Sequence, residues 1–168
     1  MIKAVLFDWG NTLMIDFPGQ TGPMHRWNKI EAVKNAEACL AALSKEFPCY
    51  IATNAKDSTK EDISKALTRV NLGKYVSDIF CYKEIGYEKP TREFYDFIFK
   101  KLSLAPHEIV LIGDDMETDF KGAMRNGICG ILFDPDDKNA GAELRIKDLL
   151  EIRNVLDNLT HRMMSSGR

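Results

Sequence analysis

The 168-residue chain predicts an α/β fold, a three-layer sandwich with helices on both faces of a central parallel sheet. Three observations lead there. Short apolar runs alternate with segments whose apolar residues recur at helical spacing, as in βαβ units whose strands are covered on both sides. A hydrophobic content of 45% over this length fills one well-buried core but not two. Reactive polar residues fall directly after the apolar runs, where an open α/β sheet collects its ligands. The expectation is one domain over residues 1–160 with a frayed tail at 161–168.

The strands predicted are Ile2–Phe7, Cys49–Thr53, Ile79–Tyr82, Ile109–Ile112 and Ile128–Phe133. Between the first two, Ile30, Val33, Leu40, Leu43 and Phe47 mark one helical face. Ile63, Ala66, Leu67 and Val70 mark the next, and Ser58-Thr59-Lys60-Glu61 gives that helix a capping-box start. Thr91 is the expected cap of a helix carrying Phe94, Phe97, Ile98 and Leu102. Phe120, Ala123 and Met124 precede Gly127, a residue suited to end a helix, and Leu149, Ile152, Val155 and Leu159 mark a final helix.

A net charge of -2 and a pI near 5.9 supply no basic field for a polyphosphate backbone, so nucleic acid is not an expected partner. The N-terminal Met1-Ile2-Lys3-Ala4 runs into a strand without a signal-peptide core, and no apolar stretch has membrane-spanning length, so a cytoplasmic protein without a membrane partner is expected. Cys39, Cys49, Cys81 and Cys129 form no close pair and no metal-knuckle spacing; buried free thiols are the expectation.

The chemistry-bearing residues come in a fixed order. Asp8 follows the first strand in Val5-Leu6-Phe7-Asp8-Trp9-Gly10-Asn11-Thr12-Leu13, Thr53-Asn54 end the second, Lys89-Pro90 follow the third, and Gly113-Asp114-Asp115 end the fourth. Singly, each has an ordinary role: Asp caps turns, Thr binds backbone, a loop Lys is solvated. Together, the series resembles the four motifs of the haloacid dehalogenase-like (HAD) hydrolases, over roughly the whole core. That resemblance implies a Rossmann-like (HAD) sandwich and Mg²⁺-dependent hydrolysis of a phosphate monoester, as phosphatase or phosphotransferase. Asp8 would attack phosphorus to form an aspartyl-phosphate, Lys89 would stabilise the developing charge, and Thr53 and Asn54 would hold phosphate oxygens. Mg²⁺ would be held by Asp8, the Gly10 carbonyl and Asp114, while Asp115 and Asp119 would orient Lys89 or outer waters.

Gly10 departs from the family pattern, in which a second Asp two residues after the nucleophile moves the protons. A glycine cannot, so either another side chain substitutes, or turnover is slow, or the phosphoenzyme is long-lived. His25, Asp16 and Glu117 are the candidate substitutes. Neither gap where the family inserts a cap has room for one. The Gly- and Pro-punctuated stretch 16–27 makes at most a flap, and 56–88 is consumed by one helix and one strand. An open site suits a bulky phosphorylated macromolecule as well as a small molecule, or is covered by a second subunit. Arg26 and Trp27 are the expected substrate contacts, with Trp27 equally suited to pin the loop. Two other readings stand beside the phosphatase. One is a phosphate- or metal-binding or protein-interaction module that has lost turnover; the other, carbon–halogen hydrolysis, lacks the closed apolar pocket that desolvates its nucleophile.

Overall fold

The computed structural model describes residues 1–165. Six strands form one sheet in the order β3-β2-β1-β4-β5-β6: β1 Ala4–Phe7, β2 Cys49–Thr53, β3 Asp78–Cys81, β4 Ile109–Gly113, β5 Cys129–Phe133 and β6 Arg145–Ile146. Every pairing is parallel, with Phe7 opposite Ile51 on one side and Ile112 on the other. The chain therefore runs outward from β1 to β3, then returns to lay β4 on the opposite side of β1. The carboxyl ends of β1 and β4 flank that reversal, where a crevice opens in such sheets.

Alternation along β1 divides the core. Val5 and Phe7 pack in one cluster with Leu40 and Leu43 of α1 (Ala36–Leu43), Ile63 and Leu67 of α2 (Lys60–Arg69) and Ile152 of α6 (Ile152–Ser165). Ala4 and Leu6 face the other cluster, with Phe94, Tyr95 and Ile98 of α4 (Arg92–Leu102) and Ala123 of α5 (Gly122–Arg125); the one-turn α3 (Tyr82–Ile85) follows β3. These are the two helical layers that the apolar strands require. Cys39, Cys49 and Cys81 are buried free thiols, and Cys129 is half-buried. No helix among the described residues is long and apolar enough to cross a membrane.

Several sequence expectations are corrected. The strands predicted at Ile2–Phe7, Ile79–Tyr82, Ile109–Ile112 and Ile128–Phe133 shift by one or two residues at an end, and the two-residue β6 was not predicted. Ile30 and Val33 precede α1. Asn35 adopts a left-handed conformation at φ 65° and donates to both Asp148 carboxylate oxygens, ending the extended segment that pairs Ala32 with Met14. The capping box lies one residue later than expected, with Thr59 as cap and Asp62 closing it. Thr91 occupies the cap position of α4, but its hydroxyl donates to the Glu88 carbonyl. Met124 is exposed, while Gly127 at φ 78° ends its helix as expected. Helix α6 continues through 161–165 of the expected tail; residues 166–168 lie outside the described residues.

The flap after β1 is tied to α2. Arg69 donates through Nη1 to the carbonyls of His25 and Trp27, both at 2.8 Å, and Trp27 Nε1 donates to the Thr21 and Gly22 carbonyls at 3.1 Å. Arg69→Ala should lower stability by about 1 kcal/mol, as exposed charge-assisted bonds do, and should expose residues 24–28 to limited proteolysis. An unchanged cleavage pattern would show that the flap is held by its buried Met24 and Trp27 alone.

Candidate active site

Asp8 continues β1 by one residue, its N–H donating to the Ile112 carbonyl at 2.8 Å, so its side chain emerges between β1 and β4. Lys89 reaches the same point from the loop before α4. Its Nζ lies 2.8 Å from Asp8 Oδ1 and 2.7 Å from Asp119 Oδ1, with the ammonium almost wholly withdrawn from solvent. Asn54 fixes the lysine's backbone: its Nδ2 donates to the Lys89 carbonyl at 2.9 Å, and its Oδ1 accepts the Lys89 N–H at 2.7 Å. The expected phosphate ligand Asn54 thus spends its amide on positioning Lys89.

Asp119 arrives by an unusual local route. The turn Met116–Lys121 is π-helical, and the N–H groups of both Asp119 and Phe120 donate to the Asp115 carbonyl at 3.1 Å. Such a bulge redirects a side chain that an α-helix would carry elsewhere. Asp115 caps this turn, accepting from the N–H groups of Glu117 and Thr118 at 2.9 and 2.7 Å, and those bonds hold its carboxyl below the usual range. Asp119 and Asp115, expected to orient Lys89 or outer waters, are placed differently: Asp119 contacts the lysine and Asp115 accepts from the turn's own backbone.

Asp114 completes the cluster. Ligand oxygens of Asp8, Asp114 and Asp119 all lie within 4.8 Å of one another. Thr12, which sequence reasoning overlooked, is fully buried between two of them, its hydroxyl 3.2 Å from Asp114 Oδ1 and 3.5 Å from Asp8 Oδ2. Its signal was present, four residues after Asp8 in the same motif. Burial raises the carboxyl of Asp8 against the pull of Lys89, and burial with the Asp119 charge raises Asp114. Burial also pushes Asp119 up to about 6 despite Lys89, whereas the two carboxylates together hold the lysine above its ordinary value against its own desolvation. Three carboxylates around one ammonium leave an excess of negative charge on hard oxygen donors, a set that fits a divalent cation such as Mg²⁺. The Gly10 carbonyl accepts no hydrogen bond among the described residues, which suits a further donor.

Beside Asp8 opens a cavity of about 370 Å³, walled by Gly10, Asp16, Trp27, Thr53 and Ser58 among others. Buried Thr53 accepts the Ala55 N–H at 3.2 Å through its hydroxyl oxygen. Trp27 is a wall of the cavity and is pinned by the flap carbonyls; Arg26 is exposed and is not among the cavity's walls. His25 faces α2, its Nδ1 3.4 Å from Asp62 Oδ1, and Glu117 pairs with Lys121 at 2.6 Å, so neither candidate acid lines this cavity.

Residues 86–161 match the HAD-hydrolase-like family model. An uncharacterized protein from Listeria monocytogenes serotype 4b superposes with a TM-score of 0.84 at 25% identity, over 95% of this chain and 99% of that one. The fold is that of the HAD-like hydrolases. The HAD-hydrolase YfnB of Bacillus subtilis is 26% identical over 132 residues, 76% of this chain and 55% of YfnB. Its magnesium-bound crystal structure superposes at a TM-score of 0.75 with 17% identity, over 92% of this chain and 98% of that chain. A ribulose-1,5-bisphosphate 5-phosphatase of Halopiger xanaduensis is 34% identical over 77 residues, 46% of this chain and 32% of the relative. The sequence matches thus span about half of YfnB and a third of the phosphatase. Family model and neighbours together support a place in the HAD-like hydrolase superfamily.

Gly113 ends β4 where the Asp119 carboxylate crosses it, and a Cβ there would overlap that carboxylate. Gly113→Ala should therefore drive Asp119 off Lys89 and lower stability by roughly 1–3 kcal/mol, read as a denaturant midpoint. A midpoint equal to wild type would show that the Lys89–Asp119 contact contributes little.

Proposed function

We propose that the protein is a phosphate-monoester hydrolase of the HAD type, a phosphatase or phosphotransferase that works through an aspartyl-phosphate on Asp8. The observation that carries this reading is the buried Lys89 ammonium held against both Asp8 and Asp119, next to Asp114, with Asp8 itself on the wall of the adjoining cavity. Phosphoryl transfer needs an in-line nucleophile and compensation of charge, and these are the groups assembled. The phosphatase names of several relatives support the same class.

Asp8 would attack phosphorus from the floor of the cavity. Lys89, fixed through its backbone by Asn54, would stay in contact with the nucleophile as its charge is redistributed, while Thr53 on the cavity wall would hold a phosphate oxygen. Asp8, Asp114 and the Gly10 carbonyl would hold Mg²⁺, with Asp119 and Asp115 outside that set; when bound, the ion would neutralise phosphate charge facing a carboxylate nucleophile. Thr12 would keep Asp8 and Asp114 in register. No cap is seen over the cavity among the described residues, so the substrate would be a phosphorylated molecule that brings its own bulk, small molecule or macromolecule, or the site would be covered by a second copy of the chain. Carbon–halogen hydrolysis is disfavoured by the two further carboxylates, Asp114 and Asp119, crowded at the nucleophile.

Gly10 favours one further reading, a phosphate- or metal-binding module without turnover. Hydrolysis of an activated aryl phosphate separates the two. The phosphatase should be active with Mg²⁺, silent after chelation, and slowed on the order of 10⁴–10⁶-fold by Asp8→Asn. Hydrolysis unchanged in Asp8→Asn would remove Asp8 as nucleophile, and a wild type that binds Mg²⁺ but turns nothing over would establish the binding module.

A further inference from the structure

Gly10 presents no side chain beside Asp8, and Asp16 borders the space that one would occupy. A Cβ built on Gly10 meets nothing closer than 3.8 Å, and both atoms at that distance belong to Asp16, its Cβ and Oδ2. From the geometry we infer that Asp16 supplies the proton transfers of the hydrolysis. The inference rests on the phosphatase reading above and names a working part of that same site.

The flap is built to return Asp16 to this position. Asn11 turns left-handed at φ 55°, its N–H donates to the Met14 carbonyl, and Met14 and Gly10 bridge, so the chain doubles back immediately after Asp8. Asn11 Oδ1 then accepts the Asp16 N–H at 3.0 Å, and the preceding N–H, that of Ile15, donates to the Glu31 carbonyl at 2.9 Å. The backbone of Asp16 is thereby anchored while its carboxylate is left free. Among the described residues that carboxylate has no hydrogen-bond or ion-pair partner, and it borders the cavity on which Asp8, Gly10 and Thr53 also open. The other two candidates lie away from the cavity, His25 3.4 Å from Asp62 on α2 and Glu117 paired with Lys121.

The two steps balance. As an Asp8 oxygen bonds to phosphorus, the bond from phosphorus to the leaving oxygen breaks, its electron pair stays on that oxygen, and the Asp16 carboxyl proton moves onto it to release the alcohol. Water then attacks the aspartyl-phosphate and gives its proton to the Asp16 carboxylate. The bond from phosphorus to Asp8 breaks, returning inorganic phosphate, the Asp8 carboxylate and a protonated Asp16.

The test compares wild type, Asp16→Asn, Asp8→Asn and the double variant Gly10→Asp/Asp16→Asn on an aryl phosphate and an alkyl phosphate with Mg²⁺. Circular dichroism verifies each fold. Asp16→Asn should slow alkyl phosphate hydrolysis by a factor on the order of 10²–10⁴, slow the aryl ester less in its first step, and accumulate phosphoenzyme visible by intact mass. Gly10→Asp should restore turnover in the Asp16→Asn background, because its Cβ has room and its backbone is not left-handed. Asp16→Asn turning over both esters at the wild-type rate, while Asp8→Asn is inactive, would overturn the role of Asp16 and leave the phosphatase standing. Loss in Asp16→Asn without phosphoenzyme and without rescue would also overturn it, and a wild type inactive on both esters would remove the phosphatase reading itself.

Discussion

The site depends on one buried cation. Lys89 carries its ammonium into the interior beside β1, and a charge withdrawn from water there is tolerable only when it is paired and hydrogen-bonded. Asp8 and Asp119 provide that pairing at 2.8 and 2.7 Å. Each neighbouring feature follows from holding those three groups together: the Asn54 clamp on the lysine backbone, the π-helical turn that swings Asp119 inward, and the absence of a side chain at Gly113 where that carboxylate passes. A pair would have sufficed for stability alone. The surplus of carboxylate charge, with Asp114 tied to Asp8 through Thr12, would be offset by a divalent cation, as the proposed function requires.

The same arrangement explains why Gly10 need not silence the protein. Gly10 lines the cavity and takes no part in the buried ion cluster, in which Lys89 contacts Asp8 and Asp119. The adjoining flap is anchored by the Arg69 side chain of α2 and by the Glu31 carbonyl, and it carries Asp16 to within 3.8 Å of where a Gly10 Cβ would lie. Such a tethered loop over a rigid sheet edge would let a catalytic group be carried on the flap instead of on the strand end.

Much of this was legible in the sequence because strand ends advertise themselves. A continuous apolar run that stops at Asp8, at Thr53 or at Gly113-Asp114 reads as a buried strand delivering a polar group, and strands β2 and β4 fall within a residue of that reading. What the sequence hides is whether a polar side chain faces the ligand or the protein's own backbone. Asn54 and Asp115 both sit among motif residues, yet one clamps Lys89 and the other caps a turn. Thr12 was overlooked although it lies four residues after Asp8, because position in the motif does not show that a hydroxyl bridges two carboxylates. The helical spacing of Ile30 and Val33 misled because the left-handed Asn35 delays the helix, and that turn is set by its long-range bond to Asp148.

The most direct measurement is to locate the covalent intermediate. Wild-type protein is quenched in acid during turnover of a phosphate ester with Mg²⁺, the acyl phosphate is reduced with borohydride, and the modified residue is mapped by peptide mass spectrometry. The modification should fall on Asp8 alone and vanish when metal is withheld. Metal-dependent turnover with the modification on any other residue, or with none in a variant whose second step is blocked, would contradict the account.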